Sequence, residues 1–124
     1  MERDFYICNT CKNIITKLKD SKVPVVCCGE KMTKLIPGTV DASAEKHIPT
    51  FLVENNEVKV SVGSIEHPMT EEHYIEWIYL QTNKGEQFKY LLPNQKPTAT
   101  FILGNDEKVE CVFAYCNLHS LWKA

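Results

Sequence analysis

The feature that most constrains this chain is the uneven placement of its metal-binding side chains. Four of its six cysteines, Cys8, Cys11, Cys27 and Cys28, fall within the first 28 residues, and no histidine precedes His47. Cys111 and Cys116 come near the end, close to His119, with His67 and His73 in between. The cysteine-rich stretch has few large apolar side chains. A segment of under about 40 residues with so little to bury needs a metal or disulfides to hold a fold. The chain therefore reads as two modules with two separate sites. Ile36-Pro37-Gly38 is a strong break in the pattern and sets the expected division at 1–36 and 37–124.

Cysteine chemistry depends on the redox compartment. The beginning of the sequence has no apolar run of signal-peptide length, and no stretch approaches 18 apolar residues, so the expectation is a cytoplasmic protein that does not enter a membrane. In a reducing compartment six cysteines in 124 residues read as metal ligands or reactive thiols before disulfides. Cys8 and Cys11 are separated by two residues, which lets one tight turn aim both sulfurs at a single ion. Cys27 and Cys28 are adjacent, and neighbouring side chains on a regular strand diverge. Both reach one ion only if the backbone turns there, and Gly29 is placed to allow it. Four thiolates from two segments suit a tetrahedral site for zinc or iron.

Beyond Pro37 the pattern is that of β-structure. Val58-Lys59-Val60-Ser61-Val62 alternates apolar and polar residues, and His73 to Leu80 is rich in aromatic and β-branched residues, with Ile75, Trp77 and Tyr79 assigned to one face. Thr98 to Leu103 and Lys108 to Cys116 read as two further strands joined by a Gly104-Asn105-Asp106 turn. No segment offers three turns of helical period. Short strands at this spacing predict an antiparallel sandwich. The apolar content of 44% allows a core, and a net charge of -2 without a basic run argues against nucleic acid or an acidic membrane as partner.

The second module carries the histidines. Cys116-Asn117-Leu118-His119 has ligand spacing, His67 and His73 flank a short acidic turn, and Glu45-Lys46-His47-Ile48-Pro49 stands just before a candidate strand. Each histidine alone has an ordinary structural role open to it. Four histidines together with a Cys-x-x-His pair point to a metal that accepts imidazole and thiolate, such as iron, copper or zinc. Cys111 shares strand parity with Val109, Phe113 and Tyr115, opposite to Cys116, and reads as a small buried hydrophobe.

The N-terminal Cys-x-x-Cys followed by Cys-Cys-Gly resembles desulforedoxin, a small protein with a rubredoxin-like iron site. The Glu45-Lys46-His47-Ile48-Pro49 run, His67 with its following proline, His73, and the closing Cys116-to-His119 motif resemble the desulfoferrodoxin family in order and spacing. That resemblance implies a mainly β protein: a desulforedoxin-like domain, then an immunoglobulin-like sandwich. It implies two mononuclear irons, the first held by Cys8, Cys11, Cys27 and Cys28. For the second it implies His47, His67, His73 and His119 as equatorial ligands and Cys116 as the axial one. Glu45 is implied to occupy the sixth position after oxidation, with Lys46 as the neighbouring cation. The implied activity is superoxide reduction to hydrogen peroxide in a homodimer, with rubredoxin as electron donor. Three other readings remain: a rubredoxin-like electron carrier without catalysis, a zinc-binding interaction module, and a dismutase, which alone would release oxygen.

Overall fold

The structure is a computed structural model that describes residues 2–124. The chain divides into two compact units, one running up to Ile36 and the other Pro37–Ala124.

The first unit is built from very short strands: β1 (Phe5–Ile7), β2 (Ile14–Thr16), β3 (Val26–Cys27), β4 (Glu30–Lys31) and β5 (Thr33–Lys34). They form an antiparallel sheet in the order β2-β1-β5 and a separate β3-β4 pair. Among its described residues only Phe5, Ile7 and Cys8 are buried, while Leu18 is 91% exposed and Val26 62% exposed. Three buried side chains cannot offset the chain entropy of ordering the unit.

The second unit contains α1 (Ala44–His47), β6 (Pro49–Glu54), β7 (Glu57–Val62), β8 (Ile75–Thr82), β9 (Glu86–Tyr90), β10 (Thr98–Ile102), β11 (Val109–Cys116) and β12 (Ser120–Lys123). The strands form two antiparallel sheets, ordered β10-β7-β6 and β12-β11-β8-β9. This is the predicted immunoglobulin-like sandwich. Its core joins Val58, Val60 and Val62 of β7 and Phe101 of β10 to Ile78 and Leu80 of β8 and Val112 and Ala114 of β11. On β7 the alternation is complete: the valines are 0–1% exposed, and Lys59 and Ser61 face outward. A two-residue turn closes the β6–β7 hairpin, with Asn55 at φ 56°, a conformation asparagine tolerates better than most residues. The Gly104-Asn105-Asp106 turn carries the chain from one sheet to the other, since β10 pairs with β7 and β11 with β8. No helix among the described residues is long and apolar enough to cross a membrane.

Two sequence expectations change, and one element is new. The run before β6 forms the single helical turn α1, too short for a 3.6-residue period to register. Ile75 does not share a face with Trp77 and Tyr79. Tyr115 is opposite Trp77 while Cys116 is opposite Ile75, so β8 carries one extra residue at Glu76. That bulge returns Ile75 to the core, and Trp77 and Tyr79 stand on the other face. A second register shift, between Val109 and Cys111, turns Val109 toward the core and away from Cys111. Strict two-residue alternation misses both because a bulge resets the count.

Candidate metal centres

In the first unit the turn after β1 and the β3–β4 hairpin bring Cys8, Cys11, Cys27 and Cys28 together, with their sulfur atoms all within 4.8 Å of one another. Cys11 Sγ lies 3.6 Å from Cys27 Sγ. The turn needed at the adjacent pair is present: Cys28 has φ 52° and Gly29 has φ 76°. Only glycine adopts that region freely. The backbone N–H of Cys11 donates to Cys8 Sγ at 3.4 Å. Mainly through that contact the Cys8 thiol falls to about 6. Cys28 is pushed up to about 12, first by Cys11 and then by Cys8. Cys27 is also raised, again first by Cys11. Four sulfurs at this range resist carrying charge together unless a cation sits among them. The donor set therefore fits a tetrahedral thiophilic metal.

In the second unit three segments converge. His47 ends α1, His67 and His73 lie on the loop before β8, and Cys116 and His119 flank the turn from β11 to β12. One nitrogen from each of His47, His67 and His73, together with Cys116 Sγ, lies within a common 4.8 Å range. His119 Nδ1 is 3.1 Å from His47 Nε2 and 3.9 Å from Cys116 Sγ. The four imidazoles occupy the corners of a square. Neighbouring ring centroids are 4.5, 4.7, 5.0 and 4.9 Å apart, with planes 77–87° to each other. Across the diagonal, His47 and His73 are 6.3 Å apart and nearly parallel at 28°.

The tautomers follow from the acceptors. His47 Nδ1–H donates to the Ser43 carbonyl and His67 Nδ1–H to the Pro68 carbonyl, each at 2.7 Å. A carbonyl only accepts, so each Nε2 presents a lone pair, and these two nitrogens are 3.0 Å apart. His73 Nε2 is buried with no hydrogen-bond partner among the described residues. Protons are poor candidates to bridge this gathering. Burial is the first cause lowering His67 to about 4, and it also lowers His47 and His73. Burial raises the Cys116 thiol. Lone pairs aimed at one another, held neutral and beside a fully buried thiol, fit a metal ion.

Glu45 and Lys46 lie on α1, exposed. The Lys46 charge contributes to the lowering of both His47 and His73, which puts it within electrostatic reach of the square. The Glu45 carboxylate accepts a long 3.5 Å bond from the Ser43 hydroxyl and is not part of the histidine group. Cys111 is buried and donates to Gln81 Oε1 at 3.5 Å, far in role from either centre.

Several supporting residues were not legible beforehand. The Trp122 indole stacks on His47 at 4.9 Å, and its N–H donates to the His119 carbonyl at 2.9 Å. Asn117 donates to the Glu72 carbonyl and accepts from the Tyr74 backbone, tying the His73 loop to the Cys116 turn. Gly63 lies so close to α1 that an added Cβ would be 2.6 Å from the Glu45 carbonyl oxygen. The sequence signal for Trp122 was its three-residue spacing from His119; nothing in the sequence marked Gly63.

Fold and donor sets together define a mainly β protein with a four-cysteine group on one unit and, on the other, a group of His47, His67, His73 and Cys116 with His119 beside it. A sequence profile of the family described as Desulfoferrodoxin matches residues 39–124. The chain belongs to the desulfoferrodoxin family. Desulfoferrodoxin from Clostridium acetobutylicum is 41% identical over 119 residues, covering 96% of this chain and 93% of that protein. The Nitratidesulfovibrio vulgaris desulfoferrodoxin is 42% identical, with 98% and 94% covered. Among solved structures, the superoxide reductase from Treponema pallidum superposes with a TM-score of 0.84 at 40% identity, covering 100% of this chain and 99% of that one. A shorter superoxide reductase from Giardia intestinalis, described as 1Fe-SOR, gives a TM-score of 0.56 at 35% identity and covers 64% of this chain and 95% of that one.

Proposed function

We propose that this protein is a superoxide reductase carrying two mononuclear irons, an Fe(Cys)4 centre and a His/Cys centre at which one electron and two protons convert superoxide to hydrogen peroxide. The single observation that carries the reading is the square of imidazoles beside a buried thiol. His47, His67, His73 and His119 would hold the iron with Cys116. When bound in the ferrous state, that iron supplies the electron and an electrophilic point for the substrate.

The protein's part is to hold and tune. The Ser43 and Pro68 carbonyls hold His47 and His67 in the ligating tautomer. Trp122 keeps His47 and the His119 turn in register. A thiolate at Cys116 donates electron density that four neutral imidazoles do not. His73 and His119 are only half-buried, so water can deliver protons from that side. Lys46 attracts the superoxide anion, which gains nothing from a chain of net charge -2. Glu45, on the same helix, would supply a carboxylate to the oxidised iron, as the family resemblance implies.

Residues up to 36 form a unit that serves the iron at Cys8, Cys11, Cys27 and Cys28, and catalysis belongs to residues 37–124. The Giardia protein supports this division, since it bears the superoxide reductase name while matching only 64% of this chain. The resemblance supports a rubredoxin donor and a homodimer working in the cytoplasm.

The test combines metal content, optical spectra of both redox states and product stoichiometry. Two irons per chain and peroxide without released oxygen are expected; oxygen release would make the protein a dismutase, and a zinc-loaded colourless protein would end the proposal. Cys116→Ser should abolish the thiolate-to-iron absorption and most reactivity. Near-normal superoxide reduction by an iron-loaded Cys116→Ser protein would remove Cys116 from the ligand set.

A further inference from the structure

The second face of the β12-β11-β8-β9 sheet carries a run of aromatic rings in contact, and its chemistry is uneven. Tyr115 precedes Cys116 and stacks on Trp77, with ring centroids 5.4 Å apart and planes only 8° from parallel. Trp77 meets Tyr79 at 6.3 Å. Tyr79 meets Phe88 at 5.9 Å, and Phe88 meets Tyr90 at 5.3 Å. All these separations lie in the range of aromatic pairs in direct contact. Tryptophan and tyrosine are readily oxidised by one electron, and phenylalanine is not. Tyr115, Trp77 and Tyr79 thus form an unbroken run of oxidisable rings, which begins one peptide from the Cys116 thiol and ends at a phenol. Tyr79 O–H donates to Glu86 Oε1 at 3.1 Å, so the proton released when Tyr79 is oxidised has an acceptor waiting. Phe113, 6.4 Å from Tyr79, shows that the face tolerates a ring without redox chemistry.

We propose that Tyr115, Trp77 and Tyr79 form a relay that draws oxidising equivalents away from the Cys116 side of the metal centre to Tyr79, with Glu86 taking the phenolic proton. The inference rests on the iron reading of the histidine site. The need arises from the reaction's own product. A thiolate ligand favours O–O cleavage, and hydrogen peroxide that lingers takes up two electrons and two protons to give two waters. The ferrous ion yields one electron on becoming ferric. Without another donor nearby, the second comes from the ligands, and a cysteine thiolate is the most easily damaged among them. In the relay Tyr79 supplies that electron: its O–H bond breaks, the proton passes to Glu86, and a neutral tyrosyl radical remains. One hydrogen atom from a small-molecule thiol restores the phenol and leaves a thiyl radical.

The experiment treats the reduced full-length protein, iron-loaded and in a Cys27→Ser background so that the tetrathiolate contributes no electrons, with excess hydrogen peroxide. Freeze-quenched samples are read by electron paramagnetic resonance, and peptides are mapped by mass spectrometry. A tyrosyl signal is expected that disappears in Tyr79→Phe, and Trp77→Phe should lose it as well. Both variants should reduce superoxide at the parent's first-turnover rate, yet lose iron and oxidise Cys116 several-fold faster under peroxide. Zinc-loaded protein should give no radical. Normal superoxide reduction with no radical, and equal iron loss in parent and variants, would overturn the relay alone. Absence of iron from the histidine site would overturn the functional reading and the relay together.

Discussion

The two units solve the same problem by opposite means. The second unit holds itself together by burial: Val58, Ile75, Ile78, Leu80 and Val112 are all fully buried, and the metal centre is set into one end of that core through Cys116, also fully buried. The first unit has three buried side chains among its described residues, and its four cysteine sulfurs lie within 4.8 Å of one another. In one, the fold positions the ligands; in the other, the ligands make the fold. A metal is thus free to be catalytic where the scaffold does not depend on it.

Metal removal should break the comparison most visibly. Chelation, or Cys27→Ser, should abolish hydrogen-exchange protection in β1, β2 and β5 while β8 and β11 keep theirs, because ligation in the first unit is also folding energy. Equal loss in both units would show that the sandwich depends on metal too. The reverse test is a core truncation. Phe101→Ala should destabilise the second unit by about 3–5 kcal/mol in chemical denaturation, leaving the tetrathiolate absorption unchanged at low denaturant.

Gly63→Ala probes the boundary between scaffold and site. Its new Cβ would meet the Glu45 and Ile48 carbonyls at 2.6 and 2.9 Å, so α1 must shift. Strain of about 1–3 kcal/mol is expected, together with a changed spectrum of the histidine-bound iron, since His47 rides on that helix. An unchanged spectrum would mean the helix moves without its ligand. The smallest effect belongs to Lys46→Ile. The second-order reaction of the ferrous protein with superoxide should slow by roughly tenfold and become less sensitive to salt, with the iron spectrum intact. An unaltered rate and salt dependence would leave Lys46 a surface charge.

Much of the site could be read in advance because ligand chemistry is written in residue types. Four cysteines on two short segments, and histidines grouped with a Cys-x-x-His pair, are visible without coordinates. The alternation of Val58, Val60 and Val62 likewise reads directly as a strand, since burial on one face repeats every second residue. What escaped were features that break a period or lack one. The bulge at Glu76 moved Ile75 to the other face, the bulge after Val109 did the same there, and the single turn α1 was too brief to show.

By itself, then, the sequence determined the donor inventory, the β character of the larger unit and the poverty of the smaller unit's core, because these depend on composition and local spacing. Only the tertiary structure decided which nitrogen of each imidazole faces inward. That choice rests on the Ser43 and Pro68 carbonyls and on the approach of His47 to His119, 72 positions away. It also decided that Trp122 braces the square, that Gly63 lets α1 lie close, and that oxidisable rings line up behind Cys116. The physical reason is common to all of these. Each depends on the path of the backbone through space, which aims the Ser43 and Pro68 carbonyls at rings only four and one positions away and brings Trp122, Gly63 and Trp77 against residues distant in sequence.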